Sequence, residues 1–306
     1  MCVAPALFAL LVQGQSSVSR YETDINGHRV ETAKTSSVDG NRTETSQSIN
    51  GRQVPLERTE EKLLSESPHS RVTERIVRKF DPTGVQNGIE KILIEEEILT
   101  GGSKNVKETT WRSDLNGSLS QAERRNVEVR VSGASTTTET VISRPDINGS
   151  ISLAERRSQV AEKNGDQIQT SEVVQRRNTN GQFYDALREV KVFSSRGEQS
   201  TENVTSYEPD ANGRLDVARQ TVTIATKRSD GSEVKEVNLY GKGAEGHAQE
   251  RGVSTQIREQ QIVERKKLSD GSVVESVSVR RPTVSDPSRL GNSQKLHETV
   301  CRGKCD

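Results

Sequence analysis

Three residues near the C-terminus have side chains suited to metal or redox chemistry: His297, Cys301 and Cys305, spaced by four. In an oxidising compartment Cys301 and Cys305 form a small-loop disulfide. So short a loop removes little chain entropy, so the bridge secures the tail more than the fold. With His297 the same cysteines offer three ligands for Zn²⁺ and one open position, because a spacing of four aligns side chains on one face of a helix or strand. The CxxxC spacing is not the CxxC that tunes thiol pKa in oxidoreductases. The disulfide is the expected assignment, with no bound metal and no cofactor.

Oxygen-rich turns form the second group: Asp114-Leu-Asn-Gly117, Asp146-Ile-Asn-Gly149, Asn178-Thr-Asn-Gly181 and Asp210-Ala-Asn-Gly213. Stacked along one sheet edge, their side-chain oxygens suggest Ca²⁺ ligation. No closing Glu stands in register, and an Asp that caps its own turn two residues on accounts for the same pattern. Turn chemistry is therefore expected at Asn116, Gly117, Asn148, Gly149, Asn180, Gly181, Asn212 and Gly213. The chain has four histidines, His28, His69, His247 and His297, and none lies in a hydrolase pattern. No nucleophile elbow, zincin, P-loop or dinucleotide motif is present. Only Trp111 with Asp114 hints at a carbohydrate-active cleft. The expectation is a protein that is not an enzyme.

The elements that carry these residues are set by glycine. Gly117, Gly133, Gly149, Gly165, Gly181, Gly197 and Gly213 recur every 16 residues. Asn-Gly marks a tight two-residue hairpin, because the turn needs positive φ at its centre. Ser132-Gly133, Asn164-Gly165 and Arg196-Gly197 read as looser turns that alternate with the Asn-Gly turns, so the unit is 32 residues. Five residues after each tetrad glycine comes Ala122, Ala154, Ala186 or Ala218. A small residue at one fixed position predicts a bend or close contact there. Further turns at Asn26-Gly27, Asp39-Gly40, Asn50-Gly51, Gly84, Gly101-Gly102, Asp230-Gly231 and Asp270-Gly271 extend the pattern, and Gly241–Gly246 reads as an irregular loop. The spacing gives roughly 16 strands. Asn126–Val131 alternates, with Val127, Val129 and Val131 on one face. The Ala-Glu-Arg-Arg pieces and Thr59–Leu64 have local helical character, but a 16-residue arm leaves no room for both a helix and a strand.

Composition bounds the fold further. Of 306 residues, 29% are apolar and 3% aromatic, against about 45–50% apolar in ordinary globular chains. A filled two-layer core is out of reach. The 44 basic and 44 acidic residues are interspersed, which favours cross-strand ion pairs. So polar a chain also matches disorder, but regular turn spacing needs paired strands. Clustered positive charge, the footprint of nucleic-acid binding, is absent, and no nucleic-acid partner is expected. Residues 2–12 are the one strongly apolar run, too short to span a bilayer as a helix and suited to a signal peptide cleaved after Gly14. An N-terminal hydrophobic strand is the other reading of that run.

Tyr207-Glu-Pro-Asp-Ala-Asn-Gly-Arg-Leu215 resembles the Y-D-x-x-G-R-L core of Rhs/YD-repeat proteins. The wider pattern resembles uncharacterised exported bacterial β-hairpin repeat proteins. The resemblance implies hairpins strung into secreted or cell-surface structures and implies no activity.

The expected architecture is all-β: an extended antiparallel meander of roughly 16 strands, open or gently curled. Residues 1–14 form a signal peptide, 15–281 the hairpin-repeat domain and 282–306 a C-terminal tail with the cysteine pair. The expected role is a secreted, periplasmic or cell-surface structural or binding protein. Its broad polar sheet would meet a protein, a polysaccharide or, through exposed edges, another copy of itself. No transmembrane helix is expected. The alternative is an outer-membrane β-barrel, which the strand number fits. Against it stand strands polar on both faces, such as Ser135–Thr140 and Gln167–Glu172, and one Trp, four Tyr and four Phe, too few for aromatic girdles.

Overall fold

A computed structural model of the chain describes residues 14–23, 29–39, 41–49, 52–114, 116–241, 257–285 and 289–302. The expected signal peptide lies outside these residues except for Gly14, and the irregular loop except for Gly241. Eighteen strands form one sheet. They are β1 (Gly14–Thr23), β2 (Arg29–Asp39), β3 (Arg42–Ile49), β4 (Arg52–Ser67), β5 (Ser70–Phe80) and β6 (Gln86–Ile98). Then come β7 (Lys104–Ser113), β8 (Leu119–Ser132), β9 (Ser135–Pro145), β10 (Ile151–Asn164), β11 (Gln167–Arg177) and β12 (Phe183–Arg196). The last are β13 (Gln199–Pro209), β14 (Leu215–Lys227), β15 (Glu233–Gly241), β16 (Ile257–Lys267), β17 (Val273–Arg280) and β18 (Gln294–Arg302). A 3₁₀ turn, Thr100–Gly102, joins β6 to β7. The all-β antiparallel meander expected from turn spacing is what forms. The Ala-Glu-Arg-Arg pieces and Thr59–Leu64 are strand, because cross-strand pairing overrides weak helical propensity.

Each strand pairs with its sequence neighbour, and the two ends of the sheet meet. β1 pairs antiparallel with β18 from Ser17↔Arg302 to Glu22↔His297. The curl of the meander is thus carried through to a closed ring, which leaves no free edge for the self-pairing the sequence suggested. Residues 294–302, read from sequence as part of a tail, are the strand that closes the ring. With 18 strands about 4.8 Å apart and tilted about 40°, the ring has a radius of about 18 Å. Strands of 11 residues give a wall roughly 28 Å tall.

The wall has two faces, traced by register. The first carries Val77, Ile94, Glu108, Arg125, Ile142, Glu155 and Arg176; the second carries Ile76, Lys91, Trp111, Arg124, Val141, Arg156 and Gln175. Val127, Val129 and Val131 share the first face, as their alternation predicts. Buried strand side chains concentrate there: Val54, Val77, Thr140, Ile142, Glu155, Val174, Ser206, Val277 and Val279, against Thr109 and Asn238 on the second face. Among the described residues there is no continuous apolar core, in line with the composition.

Candidate functional site

The features with chemical potential sit at the two rims of the wall. At one rim, each tetrad is a four-residue type I turn closed by a left-handed glycine. Gly117 N–H donates to Asp114 C=O (3.1 Å) with Gly117 at φ +82°, and Asp114 N–H donates to Ser118 C=O (3.0 Å). Asp114 Oδ1 accepts the N–H groups of Asn116 (2.8 Å) and Ser118 (2.9 Å). The same bonds recur at Asp146, Asn178 and Asp210. Backbone hydrogen bonds from Arg214 and Asn212 hold the Asp210 carboxyl below the usual aspartate range. Asp81 is lowered likewise, by the Thr83 hydroxyl and the Val85 N–H. These oxygens are spent inside their own loops, and Asn178 does the same work without charge, which is turn chemistry rather than Ca²⁺ ligation.

The sequence reading of turn length is reversed by the structure. The two-residue hairpins are at the opposite rim, where Ser132↔Ser135, Asn164↔Gln167 and Arg196↔Gln199 close around Gly133, Gly165 and Gly197. There glycine comes first in the turn, with φ near +60° (Gly133 +58°, Gly165 +60°, Gly197 +61°). In the tetrads it comes last, after a turn that needs no positive φ at its centre.

The alanine mark has a clear structural meaning. Trp111 pairs with Gln121 and Thr110 with Glu123, so Ala122 is skipped. Ala154, Ala186 and Ala218 are skipped in the same way. Each is the extra residue of a β-bulge, where a small side chain avoids crowding its neighbours. Leu56, Asn87, Arg258 and Leu296 are skipped at the corresponding places. Bulges thus recur around the tetrad rim, on the strand that follows each loop.

One bulge sits beside the most enclosed carboxylate among the described residues. Glu155 is 4% exposed and accepts from Arg157 Nε (2.6 Å) and Arg176 Nε (3.1 Å). Similar cross-strand pairs line both faces: Arg75–Glu61 (2.6 Å), Lys104–Glu96 (2.9 Å) and Arg144–Glu123 (2.9 Å) on the first, and Arg78–Glu60 (2.9 Å) and Lys107–Glu95 (2.6 Å) on the second.

The aromatic residues are not scattered. Phe80, Trp111, Phe183, Tyr207 and Tyr240 lie at the tetrad rim and share the second face, through the pairs Lys91↔Trp111, Arg177↔Phe183, Arg188↔Tyr207 and Gln220↔Tyr240. Arginines interleave them: Arg58 lies 5.7 Å from the Phe80 ring centre and Arg156 lies 4.7 Å from that of Phe183. Arg124, Arg156, Arg177 and Arg188 have no carboxylate partner among the described residues, and Arg177 donates instead to the Gly181 carbonyl (3.1 Å). The amide nitrogen of Gln121, opposite Trp111, is buried without an acceptor. Sequence reading judged nine aromatics too few for a girdle and missed that register gathers five of them on one rim. Part of the signal was there in the closeness of Trp111, Phe183 and Tyr207 to tetrads.

The opposite end of the second face gathers glutamates, two of them paired: Glu95 with Lys107 (2.6 Å) and Glu128 with Arg130 (2.7 Å). An open cavity of about 690 Å³ there is lined by Val72, Glu95, Glu97, Lys107, Glu128 and Glu139, among others. Glu128 and Glu139 are direct cross-strand neighbours.

The C-terminal residues do not assemble a metal site. His297 and Cys301 share a face of β18, but four residues of strand separate them by about 13 Å, too far for one Zn²⁺. Cys301 is disulfide-bonded; Cys305, its expected partner, lies outside the described residues. Among the described residues no group of three His, Cys, Asp or Glu is placed to hold a metal, and no helix is long and apolar enough to cross a membrane. Trp111 and Asp114 make no cleft, since the Asp114 oxygen is turned into its own loop.

No protein-family model and no curated protein matches the chain. Solved structures do. A mutant of the Rh. blastica porin superposes with a TM-score of 0.53 at 6% identity, over 95% of this chain and 99% of that one. Salmonella typhi OmpF, in complex with daunomycin, gives 0.52 at 8% identity, over 96% and 97%. These likenesses overturn the leading expectation of a secreted or cell-envelope binding protein that presents an open polar sheet: a closed ring turns one face inward and has no broad sheet to present. The likeness, at these identities, is one of fold, and the fold is that of the porin β-barrels.

Proposed function

We propose that the chain is a membrane β-barrel of the cell envelope that encloses an aqueous channel and acts without catalysis. The closure of β1 on β18 carries this reading. A bilayer core leaves no water for unpaired backbone groups, so only helices and closed barrels cross it. The roughly 28 Å wall is close to the hydrocarbon thickness of about 30 Å. Porin-like superposition over nearly the whole of both chains supports the same reading. The charges on the wall are carried largely as neighbouring opposite pairs, which lowers the cost of taking them from water. The backbone ring of about 18 Å radius leaves room for a water-filled lumen even with side chains inside.

The test is reconstitution of the refolded chain into planar bilayers, with heat-dependent gel mobility as the check on folding. Stepwise conductance from the heat-modifiable species is the expected result. A folded, monodisperse chain that stays in detergent-free buffer and conducts nothing would sink the reading.

A further inference from the structure

The repeat sets two neighbouring arginines to different work. In Arg124-Arg125 and Arg156-Arg157 the second residue lies on the first face and meets a carboxylate, Arg125 with Glu108 (3.5 Å) and Arg157 with Glu155 (2.6 Å). The first residue lies on the second face, as does Arg188 at the same place in the next unit. All three are exposed and have no carboxylate partner among the described residues. We propose that Arg124, Arg156 and Arg188 form a track that binds an acidic polysaccharide, with one sugar carboxylate on each guanidinium. The proposal rests on the closed-barrel reading above for its setting and adds the class of solute that the wall holds.

Register and repeat make the row level. Arg124 pairs with Ser143 and Val141 with Arg156; Arg156 pairs with Gln175 and Val173 with Arg188. Each step therefore crosses two strands and shifts by two residues, about 12 Å in all. Each arginine also stands at the same distance past its tetrad glycine, Gly117, Gly149 or Gly181, so the row keeps one height round the ring. It faces water. An unpaired guanidinium well inside β8, β10 and β12 is costly in hydrocarbon. The cavity of about 690 Å³ on this same face is bounded by five successive strands, from Val72 of β5 to Val141 of β9, a hollow that the concave side of a curved wall forms. Burial on the first face belongs mostly to short side chains covered by long charged neighbours, such as Thr140 and Val174 on either side of Arg157, and does not mark the concave side.

Each arginine has an aromatic ring beside it. Trp111 lies diagonally across from Arg124, next to the pair Thr109↔Arg124. Arg156 lies 4.7 Å from the Phe183 ring centre, and Tyr207 is directly opposite Arg188. A flat ring packs against the C–H face of a sugar, and a guanidinium takes a carboxylate through two parallel hydrogen bonds. The spacing selects the polymer. A step of about 12 Å is close to the length of two sugar rings, which suits a chain with one carboxylate per disaccharide. Phosphates along a nucleic-acid strand come about every 3.4 Å, too close for one per arginine. Two carboxylates border the row, Glu139 and Asp185, and they accept from Ser158 (2.6 Å) and Gln175 (2.8 Å).

Trp111 is the single tryptophan of the chain and sits beside the row, so its fluorescence reports occupancy. The full chain, refolded in detergent, is titrated with hyaluronan fragments, with the same fragments methyl-esterified at the carboxylate, and with a single-stranded oligonucleotide. Conductance in bilayers is measured in parallel. Hyaluronan is expected to change Trp111 emission and its methyl ester is not, and affinity is expected to climb steeply once a fragment spans two arginines. Arg124→Gln, Arg156→Gln and Arg188→Gln are each expected to weaken binding about tenfold. A urea midpoint matching the parent separates lost contacts from lost folding; where a Gln variant loses that midpoint, the acid–ester comparison on the parent chain decides. Equal binding of acid and ester, equal binding by the parent and the folded triple Gln variant, or tighter binding of the oligonucleotide overturns the track even if the barrel conducts. Carboxylate-dependent binding without conductance supports the track and sinks the channel.

Discussion

The two rims of the wall are made from the same repeat and differ in almost everything else. The tetrad rim has type I loops with a side-chain oxygen at the hinge, a bulge after each loop, aromatic rings and arginines. The opposite rim mixes two-residue turns at Gly133, Gly165 and Gly197 with longer glycine loops at Thr100–Gly102, Arg228–Gly231 and Leu268–Gly271, and over β5 to β9 it gathers glutamates, of which Glu95 and Glu128 are paired with Lys107 and Arg130. The long-loop rim tolerates bulges because its strands enter from turns that do not fix register tightly. From the two-residue turns at Gly133, Gly165 and Gly197 pairing runs unbroken, whereas the strand before the Pro68-His69 turn carries a bulge at Leu64. Among the described residues eight of the nine register shifts lie toward the tetrad rim and one, at Leu64, toward the other. Side chains that need special aim, such as Glu155 beside Ala154, sit at the adjustable end.

The largest expected effect comes from breaking the strand count. Removing residues 146–177 takes out β10 and β11 with one loop of each kind and leaves 16 strands whose ends still meet antiparallel. Removing 16 residues, 150–165, leaves 17 and brings β1 beside β18 in the parallel sense. The first variant is expected to fold with heat-modifiable mobility and the second is not; equal behaviour would refute the two-rim repeat.

Next in size is Glu155→Ala. It leaves Arg157 and Arg176 facing each other, and because both are half-exposed the cost is about 1–2 kcal/mol. Urea unfolding in detergent measures it. Glu61→Ala in the middle of the wall, where both partners are exposed, is expected to cost under about 0.5 kcal/mol, and parity between the two would deny that the bulged rim holds its carboxylate specially.

A replacement of Gly149 by Ala puts a side chain at φ +78° with open space around it. It tests backbone strain alone, at about 1 kcal/mol. The smallest effects belong to the loop oxygen. Asp210→Ala removes the acceptor for two N–H groups and is expected to lower the urea midpoint slightly, whereas Asp210→Asn is expected to be nearly silent because Asn178 already fills that place. Since the folded Asp210 carboxyl lies below its ordinary value of 3.8, its contribution is present above that value and fades as pH falls through the lower folded one. Hydrogen exchange at Asn212 and Arg214 should rise in acid, and that at Asn180 and Gln182 should not; a uniform response would remove the carboxylate from the account.

Much of the fold was legible because glycine spacing and strand alternation are local. Gly117 and its repeats announced the turns, and the four alanines announced the bulges. Turn length was misread because Asn-Gly serves both a two-residue turn and the tail of a type I loop, and only the closing pair Asp114/Ser118 tells them apart. The aromatic rim was illegible for a different reason. Trp111, Phe183 and Tyr240 are far apart in sequence, and their shared face appears only once the register across intervening strands is known. His297 and Cys301 failed as a zinc pair because spacing gives a face but not a distance: the same four residues that turn a helix once stretch a strand about 13 Å.

The seam between β1 and β18 also governs how such a protein changes size. An antiparallel join admits only whole hairpins, so tandem copying of one 32-residue unit is the smallest step by which the wall grows. Each copy lengthens the circumference by two strand widths and widens the bore by about 2 Å in radius. The near-identical octets Ser118–Arg125 and Ser150–Arg157 are the trace that such copying leaves. Bore in this architecture is a counted quantity, set by how many units lie between the first strand and the last.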